Sequence, residues 1–218
     1  MIGIVVALFE EAKGSIEKIK NLKTLKLSGK DVYSGTIDGK EIALIVSNIG
    51  KVNAAVCTQL LIDKFHPSAI INFGSAGGIN GKVNVLGYYA AEKCCQYDFD
   101  LSVIDDVKVG YIQGFDDVYF KVDTRPTDFL PKISVASSDH FTASENDVDT
   151  VNSMSCYAFD MELGAIGQVC TLNSVPLVSF KGITDVHGSG ADGDTFKTNL
   201  ATVCNGFYDV LVRVLKNV

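Results

Sequence analysis

Three acidic segments, each beside an apolar stretch, carry the chemistry this sequence can offer. Phe9-Glu10-Glu11 closes the first apolar run, and Asp160-Met161-Glu162 opens an apolar-periodic helix. Gly182-Ile183-Thr184-Asp185 ends a later apolar run. A carboxyl group beside a strand can bind a hydroxyl, orient a water, or donate a proton when its surroundings raise its pKa. In open α/β sheets such groups gather beyond the carboxyl ends of strands. Each is equally readable, taken alone, as a helix cap or a dipole partner. A fourth segment, Asn72-Phe73-Gly74-Ser75-Ala76-Gly77-Gly78, follows an apolar strand. Its small residues let backbone N–H groups approach a ligand, and they suit a tight packed turn as well. It is no G-x-G-x-x-G fingerprint and no Lys follows it as in a Walker loop, so phosphate-binding readings lose ground.

The elements that must position these groups follow from periodicity. Ile2 to Leu8 is a continuous apolar run, the pattern of a strand buried on both faces. The segment 10–22 is expected to be an amphipathic helix with Ile16 and Ile19 inward. Thr24 to Asn48 holds three strand-like pieces, broken at 28–31 and at Asp38-Gly39, an apt hairpin turn. A helix is expected over Lys51 to Phe65, ended by His66-Pro67, then a strand over Ala69 to Phe73 and a glycine turn. Further strands are expected near 85–91, 118–122, 133–137, 157–159 and 176–183, and helices over 145–151, 161–171 and 195–215. Apolar strands alternating with helices, plus an early hairpin, predict a single-domain α/β fold over residues 1–218. Its expected form is three αβα layers around a mixed, mostly parallel sheet.

Composition narrows the function classes. The chain has 218 residues, 47% hydrophobic and 21% charged, ordinary for a globular enzyme. A net charge of -7 argues against nucleic acid as a partner. The basic residues are 17 lysines with only Arg125 and Arg213, which weakens the case for a bidentate phosphate grip. Six cysteines show no C-x-x-C, and three scattered histidines, His66, His140 and His187, give no metal pattern. No signal-like or membrane-length apolar run is present, and a reduced cytoplasmic compartment is the simplest expectation.

The four segments, in this order and spacing, resemble the 5'-methylthioadenosine/S-adenosylhomocysteine nucleosidases of the purine nucleoside phosphorylase superfamily. Two further segments extend the likeness: Ser47-Asn48-Ile49-Gly50-Lys51-Val52 and Ser138-Asp139-His140-Phe141-Thr142. The resemblance implies a nucleoside phosphorylase-like fold, a purine nucleoside substrate, no cofactor, no metal and a homodimer. It implies that Asp185 donates a proton to purine N7, that Glu11 activates the attacking water, and that Glu162 binds the ribose hydroxyls. It assigns Ser75, Ala76, Gly77, Phe141, Thr142 and Thr184 to the adenine and ribose pocket. Met161 and Leu8 would pack on the sugar, and Phe196 would cap its 5' substituent.

Departures are also visible. Lys181 stands where the bacterial enzymes usually have an arginine, Leu8 replaces a common methionine and Thr184 a common serine. A purine nucleoside phosphorylase or futalosine-type nucleosidase shares the fold and much of the chemistry. A non-catalytic nucleoside-binding protein would be expected to lack one of the three carboxylates, and all three are present.

Overall fold

A computed structural model describes residues 1–104, 106–141, 144–187 and 193–218, with the side chains of 193–195 left aside. The strands are β1 (Ile2–Val6), β2 (Lys20–Leu27), β3 (Lys30–Ile37), β4 (Lys40–Val46) and β5 (Ile70–Ile79), then β6 (Tyr88–Gln96), β7 (Phe120–Lys121), β8 (Lys132–Ser137), β9 (Ala158–Asp160) and β10 (Leu177–His187). The helices are α1 (Phe9–Ile16), α2 (Lys51–Phe65), α3 (Glu145–Ser153), α4 (Leu163–Leu172) and α5 (Gly193–Asn217).

All ten strands join one mixed sheet in the order β10-β6-β8-β9-β5-β1-β4-β3-β2, with β7 beside β6. β10 also pairs with β5, so β5, β10, β6, β8 and β9 close into a ring. β1 lies parallel between β4 and β5, and the long β5–β10 ladder is parallel too. Side chains on successive strand residues point to opposite faces. Accordingly Ile4, Leu44, Ile71 and Phe180 pack with α1 and α5, while Val5, Ile45, Ile70 and Ile183 pack with α2 and α4. This is the expected three-layer α/β architecture. Phe73 of β5 stacks on Phe180 of β10 with centroids 5.3 Å apart, and Phe207 of α5 packs against both. This apolar cluster holds the two strands together next to Gly74 and Lys181.

Local chemistry explains most boundaries. Ser28-Gly29 and Asp38-Gly39 are two-residue hairpin turns with φ of 47° and 81°, and of 48° and 79°, the left-handed pair that matches strand twist. His66 ends α2 in the left-handed region, ahead of Pro67.

Several expectations need correction. The helix expected over 10–22 stops at Ile16, and Lys20 to Leu22 begin β2, because pairing with β3 captures that segment. The glycine segment is no turn: β5 runs through it to Ile79. The fourth helix starts at Leu163 rather than Met161, since Asp160 ends β9 and Glu162 sits at the cap. β10 does not stop at Ile183 but carries Asp185 inside the strand. Among the described residues, no helix is long and apolar enough to cross a membrane.

Candidate active site

The carboxyl ends of β1, β5, β9 and β10 surround a cavity of about 300 Å³. Leu8, Glu11, Ser75, Ala76, Gly77, Phe141, Met161, Glu162, Thr184, Asp185 and Phe196 all line it. Thr142, the remaining sequence candidate, lies outside the described residues.

Glu11 occupies the first turn of α1 and is 2% exposed. Its Oε1 accepts from the Ser75 N–H (2.7 Å) and the Ser75 hydroxyl (2.8 Å), and its Oε2 accepts from the Leu8 N–H (3.1 Å). Burial raises its pKa, against the opposing pull of the Ser75 and Leu8 donors and of Lys181. A carboxylate so held is a stronger proton acceptor than one in water, and its orientation is fixed. The approach of β5 depends on Gly74, where a Cβ would sit 3.1 Å from Glu11 Oε1 and 3.2 Å from Oε2. With three donors pinning the carboxylate, it cannot easily step aside. Gly74→Ala is therefore expected to lower kcat about tenfold by displacing Glu11, and to lower the melting temperature as its buried hydrogen bonds are strained. Wild-type kcat in that variant would show that Glu11 tolerates the shift.

Asp185 reaches the cavity through a bulge. Ile183 pairs with Ala76 and Asp185 with Gly77, leaving Thr184 as the extra residue of β10. A bulge re-aims the side chain that follows it. Thr184 Oγ1 donates to Asp185 Oδ1 at 2.7 Å, and Asn199 Nδ2 fixes the Thr184 carbonyl at 2.7 Å. A Cβ on Gly77 would lie 3.5 Å from Asp185 Oδ2, an ordinary contact distance.

Glu162 is 8% exposed, and its Oε1 accepts from the Gly50 N–H at 2.9 Å. Asp160 plays a different part. It accepts from the Ser137 hydroxyl and from the Leu163 N–H, the latter at 3.0 Å, and so starts α4.

In the sequence Lys181 is visible only as a departure, yet it is a fully buried cation in the site. Its Nζ lies 2.8 Å from Asp160 Oδ2 and donates to Asn72 Oδ1 at 2.8 Å. Burial disfavours its charge, but Asp160, Glu162 and Glu11 outweigh that and hold its pKa above the ordinary value. Asn72 completes the arrangement by donating to the Val5 carbonyl (3.0 Å) and accepting from Ser179 Oγ (3.1 Å). The placement of an amide beside a buried ammonium has no signature in sequence, since Asn72 and Lys181 stand more than a hundred residues apart. Ile49, Tyr97, Phe159, His140 and His187 also line the cavity. Their sequence signal was limited to adjacency with the segments already singled out.

Burial and the neighbouring Asp160 push Glu162 up to about 7, despite Lys181 and the Gly50 hydrogen bond. Its folded value thus exceeds the unfolded one, so the native state holds the proton more tightly. Stability from this group is full below the unfolded value of 4.5 and is lost as pH rises to about 7. A shift of that size corresponds to roughly 3 kcal/mol. Glu162→Gln is expected to raise the melting temperature above pH 7 and to flatten the decline between pH 4.5 and 7. Melting curves that decline as steeply as wild type would show that another group carries the dependence.

The family described as Phosphorylase superfamily matches residues 1–216. The 5'-methylthioadenosine/S-adenosylhomocysteine nucleosidase of Halalkalibacterium halodurans is 35% identical over 201 residues, 87% of each chain. That of Buchnera aphidicola is 34% identical over 206 residues, 87% of this chain and 86% of the relative. The chain belongs to the 5'-methylthioadenosine/S-adenosylhomocysteine nucleosidase family. The nucleosidase from S. pneumoniae, solved with the transition-state inhibitor MT-ImmA, superposes with a TM-score of 0.89. It is 25% identical, with 99% of this chain and 98% of that one covered. In this nucleosidase family member, the aromatic rim of the cavity is a pair. Phe141 meets Phe196 of α5 edge-on, with centroids 5.3 Å apart.

Proposed function

We propose that the chain, working as one catalytic domain over residues 1–218, hydrolyses the adenine–ribose bond of 5'-methylthioadenosine, S-adenosylhomocysteine or both. It needs no cofactor for this. The observation that carries the reading is the convergence of Glu11, Glu162 and Asp185 on one cavity beside the buried Lys181. Asp185 protonates purine N7 as the glycosidic bond breaks, which makes the base a better leaving group. The sugar develops oxocarbenium character, and Glu162 strengthens its hold on the ribose hydroxyls as positive charge builds. Glu11 then takes a proton from the water it orients beside Ser75, and a weak nucleophile suffices because it is well placed. Ser75, Ala76, Gly77 and Thr184 line the base and ribose positions, with Phe141 against the adenine. Leu8 and Met161 lie under the sugar and Phe196 over its 5' substituent. Lys181 lines the same cavity but is committed to Asp160 and Asn72, and no arginine lines it among the described residues, which favours water over phosphate.

The test is chromatography of the free base released from methylthioadenosine, S-adenosylhomocysteine, adenosine and inosine. Adenine release fastest from the two thio-substrates is the expected result. Preference for inosine, or release from none, would overturn the substrate assignment.

The reading also places the enzyme in the cytoplasm as a homodimer. Six free cysteines suit a reducing compartment. Ile49, at the cavity rim, continues along α2 into exposed Val52 and Val56, and Val103 and Ile104 are 94% and 79% exposed. Such apolar surface suits a partner. Sedimentation is expected to give twice the chain mass, and a monomer at working concentration would contradict it.

A further inference from the structure

The first two amides of the α2 start serve two different carboxylates. Gly50 N–H donates to Glu162 Oε1 at 2.9 Å, inside the cavity, and Lys51 N–H donates to Asp139 Oδ1 at 2.9 Å, outside it. The Lys51 side chain then turns to the connection after β6, where its Nζ donates to Asp98 Oδ1. The other Asp98 oxygen accepts from the Asp139 N–H at 3.0 Å. Asp98, Lys51 and Asp139 therefore close a ring of contacts between the connections after β6 and β8 and the start of α2. The Lys51 and Asp98 side chains are each only 15% exposed. None of the three lines the cavity, although their chain neighbours Gly50, Tyr97 and His140 touch the site.

The geometry of Gly50 makes this ring consequential. Its φ is 104°, a region that L residues avoid, and a Cβ on it would lie 3.3 Å from Asp139 Oδ1. A glycine in that conformation has many alternatives open to it, so its amide direction depends on what holds the adjoining residues. The N–H that points at Glu162 belongs to the Ile49–Gly50 peptide, which is joined through the Gly50 Cα to the Gly50–Lys51 peptide, and Lys51 is the residue the ring clamps by both backbone and side chain.

We propose that Asp98 is a positioning residue for the reaction: by tying Lys51 to Asp139, it keeps the Gly50 N–H on Glu162 Oε1. This leaves Glu162 Oε2 for the sugar hydroxyls, and so rests on the proposed nucleosidase reading. The role differs from that of a surface ion pair, which contributes little. A hydrogen bond to a charged, buried acceptor is among the stronger kinds, and its loss is felt where charge on Glu162 matters.

The test is the pH profile of kcat/KM for adenine release by wild type, Asp98→Asn and Lys51→Arg, with melting temperatures alongside. The Gly50 donor favours the ionised form of Glu162. Its displacement is expected to move the acid limb of kcat/KM to higher pH and to lower the value at pH 7 about tenfold, with kcat falling more than KM rises. Asp160 and Glu11, which oppose ionisation of Glu162, and Lys181, which favours it, face Glu162 from β9, α1 and β10 and are unchanged in these variants. Lys51→Arg retains the charge on Asp98 and is expected to keep the wild-type limb. An Asp98→Asn enzyme with an unmoved limb, whatever its melting temperature, would overturn the proposal. If that variant fails to fold, Lys51→Met breaks the same tie and is judged by the same limb. An inactive wild type would refute the nucleosidase reading and leave the positioning claim to a second readout, the Gly50 amide NMR shift. That shift is expected to titrate with Glu162 in wild type and to lose its titration in Asp98→Asn. Identical titrations in the two proteins would overturn the proposal without reference to turnover.

Discussion

Asp185→Asn is expected to lower kcat for methylthioadenosine by about a thousandfold while leaving the melting temperature close to wild type. General acid catalysis contributes about 10²–10⁴ in rate, and adenine is a poor leaving group unless it is protonated. The variant isolates that contribution because asparagine matches aspartate in shape. Its carbonyl oxygen still accepts the Thr184 hydroxyl that Oδ1 accepts at 2.7 Å, so the bulge between Ile183 and Asp185 keeps its geometry. What disappears is the transferable proton. A riboside whose leaving group departs unprotonated should recover most of the lost rate. Comparable turnover by the variant on methylthioadenosine would remove Asp185 from the acid role.

Glu11→Gln is expected to be as damaging to kcat, about a hundredfold to a thousandfold, and also to lower the melting temperature. Both carboxylate oxygens face donors: Oε1 takes the Ser75 N–H and hydroxyl, and Oε2 takes the Leu8 N–H. A glutamine must turn its NH₂ toward one of them. Two donors then meet in a site 2% exposed, which costs about 1–3 kcal/mol. Rotation of the amide exchanges one clash for the other. Base strength is lost as well, and with it the proton acceptor that burial had made more effective in the native enzyme. Stopped-flow measurement of the chemical step, with thermal melting beside it, separates the two losses. A variant destabilised but fully active would show that Glu11 serves the fold and not the water.

The sequence made the layering legible because it depends on local signals. The buried run at β1, the two-residue hairpin turns and the α2 boundaries at Gly50 and His66 each carry their own punctuation. The start of β2 is illegible because Lys20 to Leu22 are all exposed on an edge strand, so neither face is buried and no alternation arises to detect. The glycine segment reads as a turn for a different reason. Glycines mark a turn in composition, yet Gly74 serves close approach to Glu11, and Gly78 does the same for Val83. Nothing within the segment distinguishes a tight bend from crowding by residues far along the chain.

At the site, Glu11, Glu162 and Asp185 can be singled out because each stands beside an apolar run in the sequence. Lys181 could be noticed only as a substitution. Its burial and its partners Asn72 and Asp160 arise from the β5–β10 ladder and the placement of β9. The same holds for the Gly50 amide on Glu162, where residues 112 apart in sequence meet at 2.9 Å.

The most direct measurement is the initial rate of adenine release from methylthioadenosine in phosphate-free buffer and again at saturating phosphate. Equal rates, with free thioribose as the co-product in both, are the predicted result. Release that requires phosphate and yields a sugar phosphate would contradict the account. Water would then not be the nucleophile that Glu11 holds.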